Sequence, residues 1–469
     1  MKPLHHSTDQ EIGPSLQEIG RWPLALIQLH QRLAPYFARP EPRQHALLYL
    51  QAIVSEVPRK NSWQIAEHAK QARPYGMQRL LSRAIWDEEG VRDEVRAYVL
   101  QCLSPPSLLQ IGEQSRDVPE VLFPVYVIDE SGFPKRGTHS AGVQMQYCGA
   151  TGQMDNCQVG VFLSYVTAQG HALIDCELYL SEDWINDAAR RQAAHIPETV
   201  CFQTKPELAR RMIQRAQSAA LPMRWVVADT VYGHSTDLRL WLEAQGFPFA
   251  LAVPANEVVC VQTAQGYRIC EVASIEQQVL NPQDWQRLSM SLGTKGERLF
   301  DWAILPLVHR GTVDECHWLV LRRCLDDPSE KAYYLVYAPP GTSLHTMVLA
   351  IGARWSIEVD LENAKDLGLD QYEVRSYIGW YRHITLVLLA AAFLLGICIQ
   401  ESRLHCPPEE PAPSLPLIPL TIPEVRHLLA RLIWPAPTHA PLICQWSSFR
   451  RAHQYWAGYY HRRRRLKAG

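Results

Sequence analysis

EVLFPVYVIDES, residues 120–131, decides the fold. Its β-branched and aromatic residues run up to Asp129, the composition of a strand that ends on an acid. A second stretch repeats the theme: MRWVVADTVYG (223–233) holds a short run, WVVA, apolar on both faces, and stops at Asp229. A strand apolar on both faces is central and covered on both sides. A carboxylate at the end of such a strand is costly unless it caps a helix, is paired or holds a cation. For Asp229 the capping role competes with Ser235 and Thr236, which stand nearer the next helix. For Asp129 the plain alternative is a turn residue. Glu130 follows directly, so strand alternation sends it to the opposite face and leaves at most one of the two in a shared site.

Working outward, GVQMQYCGATGQ (142–153), CQVGVFLSYVTAQG (157–170) and HALIDCELYL (171–180) read as three further strands. TKPELARRMIQRAQSAAL (204–221) is a helix that Thr204 caps and Glu207 completes as a capping box. TDLRLWLEAQG (236–246) is a second helix, stopped by Gly246, and FPFALAVPA (247–255) a strand. This order predicts an α/β protein, a mixed sheet with helices on its faces. We assign the first part of that core to 116–255. Residues 256–343 carry five more strand-like runs and form a β-rich insertion. Residues 344–405 return to helix as the second part of the core, and 1–115 form a helical N-terminal region. Asn61 and Gln64 resemble a capping box there. From Arg59 to Arg83 six Lys/Arg face one acid, Glu67, which suits DNA phosphates and equally suits a solvated helix face. Residues 406–469 are a Pro-rich linker, with ten prolines in 407–441, and a basic tail whose last 30 residues hold seven Lys/Arg and no acid.

Composition excludes several classes. With 47% hydrophobic residues and a net charge of −2, the chain is neither disordered nor collagen-like. Its 12 cysteines include no C-x-x-C pair, which disfavours a zinc ribbon and fits buried thiols in a reducing compartment. The longest apolar run, Ile384–Ile399, is 16 residues, short of the roughly 20 of a membrane span. A buried core helix in a cytoplasmic protein, with no membrane partner, is expected.

A third acid comes from RWSIEVDLENAKD (354–366). Arg354, Glu358, Glu362 and Lys365 share one helix face at i, i+4, i+8 and i+11. A ladder of surface ion pairs explains that face blandly. The sharper reading is a metal carboxylate flanked by cations for phosphate. Two divalent metals about 3.5–4 Å apart activate an attacking oxygen and stabilise a leaving one in phosphoryl displacement. Mg²⁺ needs few carboxylates, because water and substrate complete its shell.

IDESGFPKRGTHS (128–140), VVADTVYG (226–233) and RWSIEVDLENAK (354–365) resemble the signature blocks of DDE transposases from bacterial insertion sequences, nearest the insertion sequence 701 branch allied to the insertion sequence 4 group. The similarity continues through QYCGATGQMDNCQVGVFLSYV, TKPELARRMI, YEVRSYIGWYRHITL and LTIPEVRHLLARLIWP, and so covers most of the chain from about residue 25. The resemblance implies an RNase H-like core, a helical N-terminal DNA-binding region and two Mg²⁺ ions, which Mn²⁺ can replace. It makes Asp129, Asp229 and Glu358 the catalytic and metal-holding acids. It gives Arg354 and Lys365 to the phosphate of the transferred strand. The tyrosine of the wider group's pattern is Ile351 here. Arg462 and Arg463 of the tail are expected on DNA phosphates as well. The implied partners are double-stranded DNA, both element ends and target, and a second copy of the chain in a homodimer on DNA, near the nucleoid. Two rival readings remain: a DNA-binding descendant that cuts nothing, and an RNase H-like nuclease without strand transfer.

Overall fold

The structure, a computed structural model, describes residues 14–104, 124–263, 266–293, 296–309, 311–404, 418–436 and 439–468. The expected boundary at 115/116 and residues 407–417 and 437–438 of the proline-rich stretch lie outside them. One sheet of twelve strands is built from residues 125–337. They are β1 (Val125–Pro134), β2 (Gln144–Cys148), β3 (Gln153–Val166), β4 (His171–Leu178), β5 (Trp225–Ala228), β6 (Phe249–Val253), β7 (Val258–Thr263), β8 (Gly266–Glu271), β9 (Gln286–Gly293), β10 (Gly296–His309), β11 (Thr312–Arg323) and β12 (Lys331–Tyr337).

β1, β5 and β6 run parallel, and β3 lies antiparallel on the other side of β1. The far edge of β3 is shared, with β2 along Gln153–Cys157 and β4 along Gly160–Val166. The order β4-β3-β1-β5-β6, with helices Lys205–Ser218 and Thr236–Ala244 in the crossovers, is the expected RNase H-like mixed sheet. All four residues of β5 are buried, as its two-faced apolar run requires. Thr204 and Glu207 form the expected reciprocal cap. Gly246 follows the helix Thr236–Ala244 with φ +68, a conformation that favours glycine.

The β-rich inserted strands join the core sheet: β12 pairs with β6, so β12-β11-β10-β7-β8 extend it edge to edge. Strands presenting free backbone groups gain most by pairing with an existing edge. The added strands bury a cluster of their own around Val261, Ala303, Leu319 and Leu335. By their contacts the described residues fall into two units. One unit takes Met1–Val91, Lys365–Val374 and Ile378–Gly469, and the other Arg92–Ala364 with Arg375–Tyr377. The apolar helix Tyr377–Leu404, expected in the core, thus packs with the N-terminal helices.

Within that first unit the packing is specific. His383 Nε2 donates to Gly368 O at 2.9 Å, which leaves Nδ1 to accept from the Tyr49 hydroxyl at 2.8 Å. Trp22 Nε1 donates to Glu401 Oε1 at 2.9 Å. A buried polar group left without such a partner costs about 1–3 kcal/mol. Asn61 caps the helix Ser62–His68. The capping box is incomplete, because Gln64 Oε1 accepts from Arg59 N at 2.8 Å instead. Lys60, one of the six expected surface cations, is buried; burial lowers its pKa to about 8, and Nζ donates to Val57 O.

Candidate active site

β1 does not end at Asp129; it continues to Pro134 along β3. What ends is its parallel pairing, whose last step is Ile128 opposite Ala228. Asp129 and Asp229 each follow that step by one residue, so the register itself sets the two acids side by side where β5 stops. Carboxylate oxygens of Asp129, Glu130 and Asp229 lie within 4.8 Å of one another.

Each acid is held by local bonds. Asp129 Oδ1 accepts the Glu130 N–H at 2.8 Å. Asp229 Oδ1 accepts from Val231 N at 3.0 Å, capping the short turn Thr230–Gly233. Asp229 therefore fills both roles that the sequence left open, a cap and a member of an acid cluster. Ser235 caps the following helix through Leu238 N. Glu130 is in the cluster too, contrary to the alternation argument. With β5 gone beyond Ala228 that side of β1 is open, and Lys205 Nζ at 2.6 Å and the Tyr232 hydroxyl at 2.8 Å hold the Glu130 carboxylate there. Both partners stand in blocks already singled out, TKPELARRMI and VVADTVYG, but nothing in their spacing marks them as partners of one acid.

Glu358 is not among the converging oxygens. Arg354 links it to them: Nη2 lies 3.0 Å from Glu358 Oε1 and Nη1 3.7 Å from Asp129 Oδ2. Lys365 is half-buried farther along the same helix, Trp355–Asp366. Ile351 is buried in the preceding helix, Leu344–Gly352. Arg463 is exposed on the helix Ala440–Ala468 in the other unit, and the side chain of Arg462 lies outside the described residues.

The electrostatics call for a cation. Burial, and next the charge of Asp229, push the Asp129 carboxyl up to about 7 against the pull of Arg354. Asp229 is raised by burial and then by Glu130, opposed by the Val231 N–H and Arg354. Tyr232 is held well above its ordinary value by burial and by Glu130, so its hydroxyl stays a donor. Crowded carboxylates with raised pKa values and an all-oxygen donor set fit a hard divalent ion such as Mg²⁺ or Mn²⁺.

Fold and cluster together define an α/β protein of RNase H-like type with acids gathered where its parallel strands end. Residues 32–268, more than half of the chain, match the DDE superfamily endonucleases, and the chain belongs to that family. It is 24% identical over 326 residues to the probable transposase for insertion sequence element IS701 of Microchaete diplosiphon, covering 69% of this chain and 75% of that one. It also aligns with piggyBac transposase, as seen in a cryo-EM synaptic complex with hairpin DNA, at TM-score 0.42 and 10% identity, over 87% of this chain and 76% of the other.

Proposed function

We propose that the protein is a transposase that binds the terminal inverted repeats of its own element, hydrolyses a phosphodiester at each end and joins the freed 3′-hydroxyl to target DNA. The family supports DNA cleavage, and the IS701 relative supports transposition. The observation that carries the site is the register: adjacent parallel strands stop together at Ile128 and Ala228, and each is followed by an aspartate. Asp129, Asp229 and Glu358 are the residues to hold two Mg²⁺ ions, with Mn²⁺ as substitute. When bound, such a pair supplies activation of the attacking oxygen and stabilisation of the leaving one.

The chain's own groups do the rest. Lys205 and Tyr232 orient Glu130, which keeps negative charge beside Asp129 and Asp229. Arg354, with a planar fork of donors, binds the phosphate of the cut strand, and Lys365 binds farther along the same face. Pairing two element ends calls for a homodimer on DNA, acting in the cytoplasm at the nucleoid. The test is incubation of the full chain with end-labelled DNA carrying the element's ends, with Mg²⁺ or with EDTA. Cut and joined products that need Mg²⁺ are expected. Bound but uncut ends in Mg²⁺ would overturn the reading in favour of a binding-only descendant.

A further inference from the structure

A second constellation of ligand-type side chains lies in the same unit as the acid cluster and takes no part in it. Glu243, on the helix Thr236–Ala244, His309, at the end of β10, and His317, on β11, bring one ligand atom each within 4.8 Å of the others. The strand irregularity that assembles them is specific. Pro306 pairs with Trp318 and Val308 with Val313, so residues 314–317 of β11 stand opposite Leu307 alone. Bulges of this kind re-aim side chains. This one stacks the two imidazoles with ring centres 3.9 Å apart and planes 4° from parallel.

Asp314 maintains the bulge and fixes one ring. Its Oδ1 accepts the N–H groups of Cys316 and His317, each at 2.9 Å, and its Oδ2 lies 2.8 Å from His317 Nδ1. A carboxylate only accepts, so Nδ1 is the protonated nitrogen. In a neutral ring Nε2 then presents a lone pair. That Nε2 is buried without a hydrogen-bond partner, and what faces it is another acceptor, Glu243 Oε1 at 3.5 Å. The other oxygen of Glu243 lies 3.8 Å from His309 Nε2. A lone pair held against a carboxylate needs a cation between them, either a proton on Nε2 or a metal ion. Ligands about 2.0–2.1 Å from a tetrahedral ion stand roughly 3.4 Å apart, close to both of these separations. Asp314 behind His317 has the place of the carboxylate that orients a metal-bound imidazole.

We propose that Glu243, His309 and His317 form a zinc-class metal site, with Asp314 as the positioning residue for His317. Two imidazoles and one carboxylate leave a fourth position for water. Parallel rings cannot both point their lone pairs at one ion, so loading turns the His309 ring out of the stack. His309 is the more exposed of the two, with a side chain 27% exposed against 12% for His317. The ion would tie the helix that follows the Asp229 turn to the β10–β11 hairpin of the inserted strands.

Mixed N/O ligation selects Zn²⁺ and Co²⁺ over Mg²⁺, which separates this site from the acid cluster. The experiment titrates the full-length protein carrying D129N and D229N with Co²⁺ and reads the visible absorption of the four-coordinate ion. Zn²⁺ competition then gives affinity and stoichiometry. One equivalent is expected, displaced by Zn²⁺. H317A and H309A should each remove the spectrum while leaving the circular dichroism of the metal-free protein in place. D314N should fold and bind about 10- to 100-fold more weakly. H309A guards against the chance that the more buried H317A fails to fold. No four-coordinate spectrum in the parent, or an unchanged one in H309A, would overturn the site and leave a protonated histidine–glutamate pair.

Discussion

At the scale of residues, Glu358 and Lys365 share a helix face and are expected to separate cleanly in kinetics. Glu358→Gln removes the charge a metal ion needs and changes the shape little, so single-turnover cleavage should vanish while gel-shift affinity for element ends stays. Lys365→Ala should slow cleavage by about 10- to 150-fold, the worth of a charge-assisted contact of roughly 1.5–3 kcal/mol. Wild-type cutting by Glu358→Gln would remove this helix from the active site. The raised Asp129 pKa gives a second expectation. A carboxyl that ionises in the folded protein only near pH 7 holds a proton there that the unfolded chain has lost. Stability of the metal-free protein therefore falls as pH rises from about 4 to about 7. Asp129→Asn should flatten that fall and stabilise the EDTA-treated protein at pH 8 by about 1–2 kcal/mol, at roughly 1.4 kcal/mol per pKa unit with screening allowed for. Thermal melts at pH 5 and pH 8 check it; equal pH dependence in both proteins would contradict it. Asp129 and Asp229 were readable because an apolar run that stops on an acid is a one-dimensional signal. Glu130 was not, because its place depends on β5 ending beside it and on Lys205 and Tyr232, which are remote in sequence.

At the scale of elements, the turn after β5 depends on Gly233. A Cβ there would stand 1.8 Å from the backbone oxygen of Ala252 on β6. Gly233→Ala must push the turn off the sheet and carry Asp229 with it. We expect a stability loss of about 1–3 kcal/mol and a fall in cleavage of roughly 100-fold or more, since an ångström of misplacement suffices for that. Chemical denaturation beside single-turnover assays checks both, and cleavage at the wild-type rate would mean that the turn does not set the site. On β4, Asp175 is fully buried among Arg215 Nε at 2.8 Å, Arg96 Nη1 at 3.1 Å and Arg92 Nε at 3.5 Å. Burial alone would raise its pKa, and the three arginines reverse the sign. Its contribution is thus present above the ordinary aspartate range and is lost as pH falls through the lowered value. Asp175→Asn leaves the buried Arg92 and Arg96 and the half-buried Arg215 short of a carboxylate and should cost about 3–5 kcal/mol in urea unfolding. A loss below 1 kcal/mol would mean that Glu177, also bonded to Arg215, suffices. Strand and helix identities were legible from period and caps. The pairing of β12 with β6 was not, because a strand's sequence states which face is buried and not which edge it joins.

At the scale of the whole molecule, the seven cations of the basic tail divide into two groups, because the helix Ala440–Ala468 begins as packed structure. Trp446 is buried and donates to Gln71 O at 3.0 Å, Phe449 and His453 lie against the Trp63 ring, and Arg450 pairs with Glu67. Arg450 is therefore spent on the fold of its own unit. The distal part differs: Tyr455, Trp456, Tyr459 and Tyr460 are exposed, and the run Arg462–Arg465 with Lys467 follows them on the same helix. If those five cations meet phosphates, log K for DNA falls with log salt by about 0.9 for each phosphate neutralised. Deleting residues 461–469 should then flatten the slope by up to about 4.5 and weaken element ends and unrelated duplexes alike. Arg450→Ala should instead lower the melting temperature and leave the slope unchanged. Fluorescence anisotropy at several salt concentrations separates the two. An unchanged slope after the deletion would show that these cations face solvent in the bound state, and would shift the search for the phosphate contacts to the exposed arginines between Arg59 and Arg83.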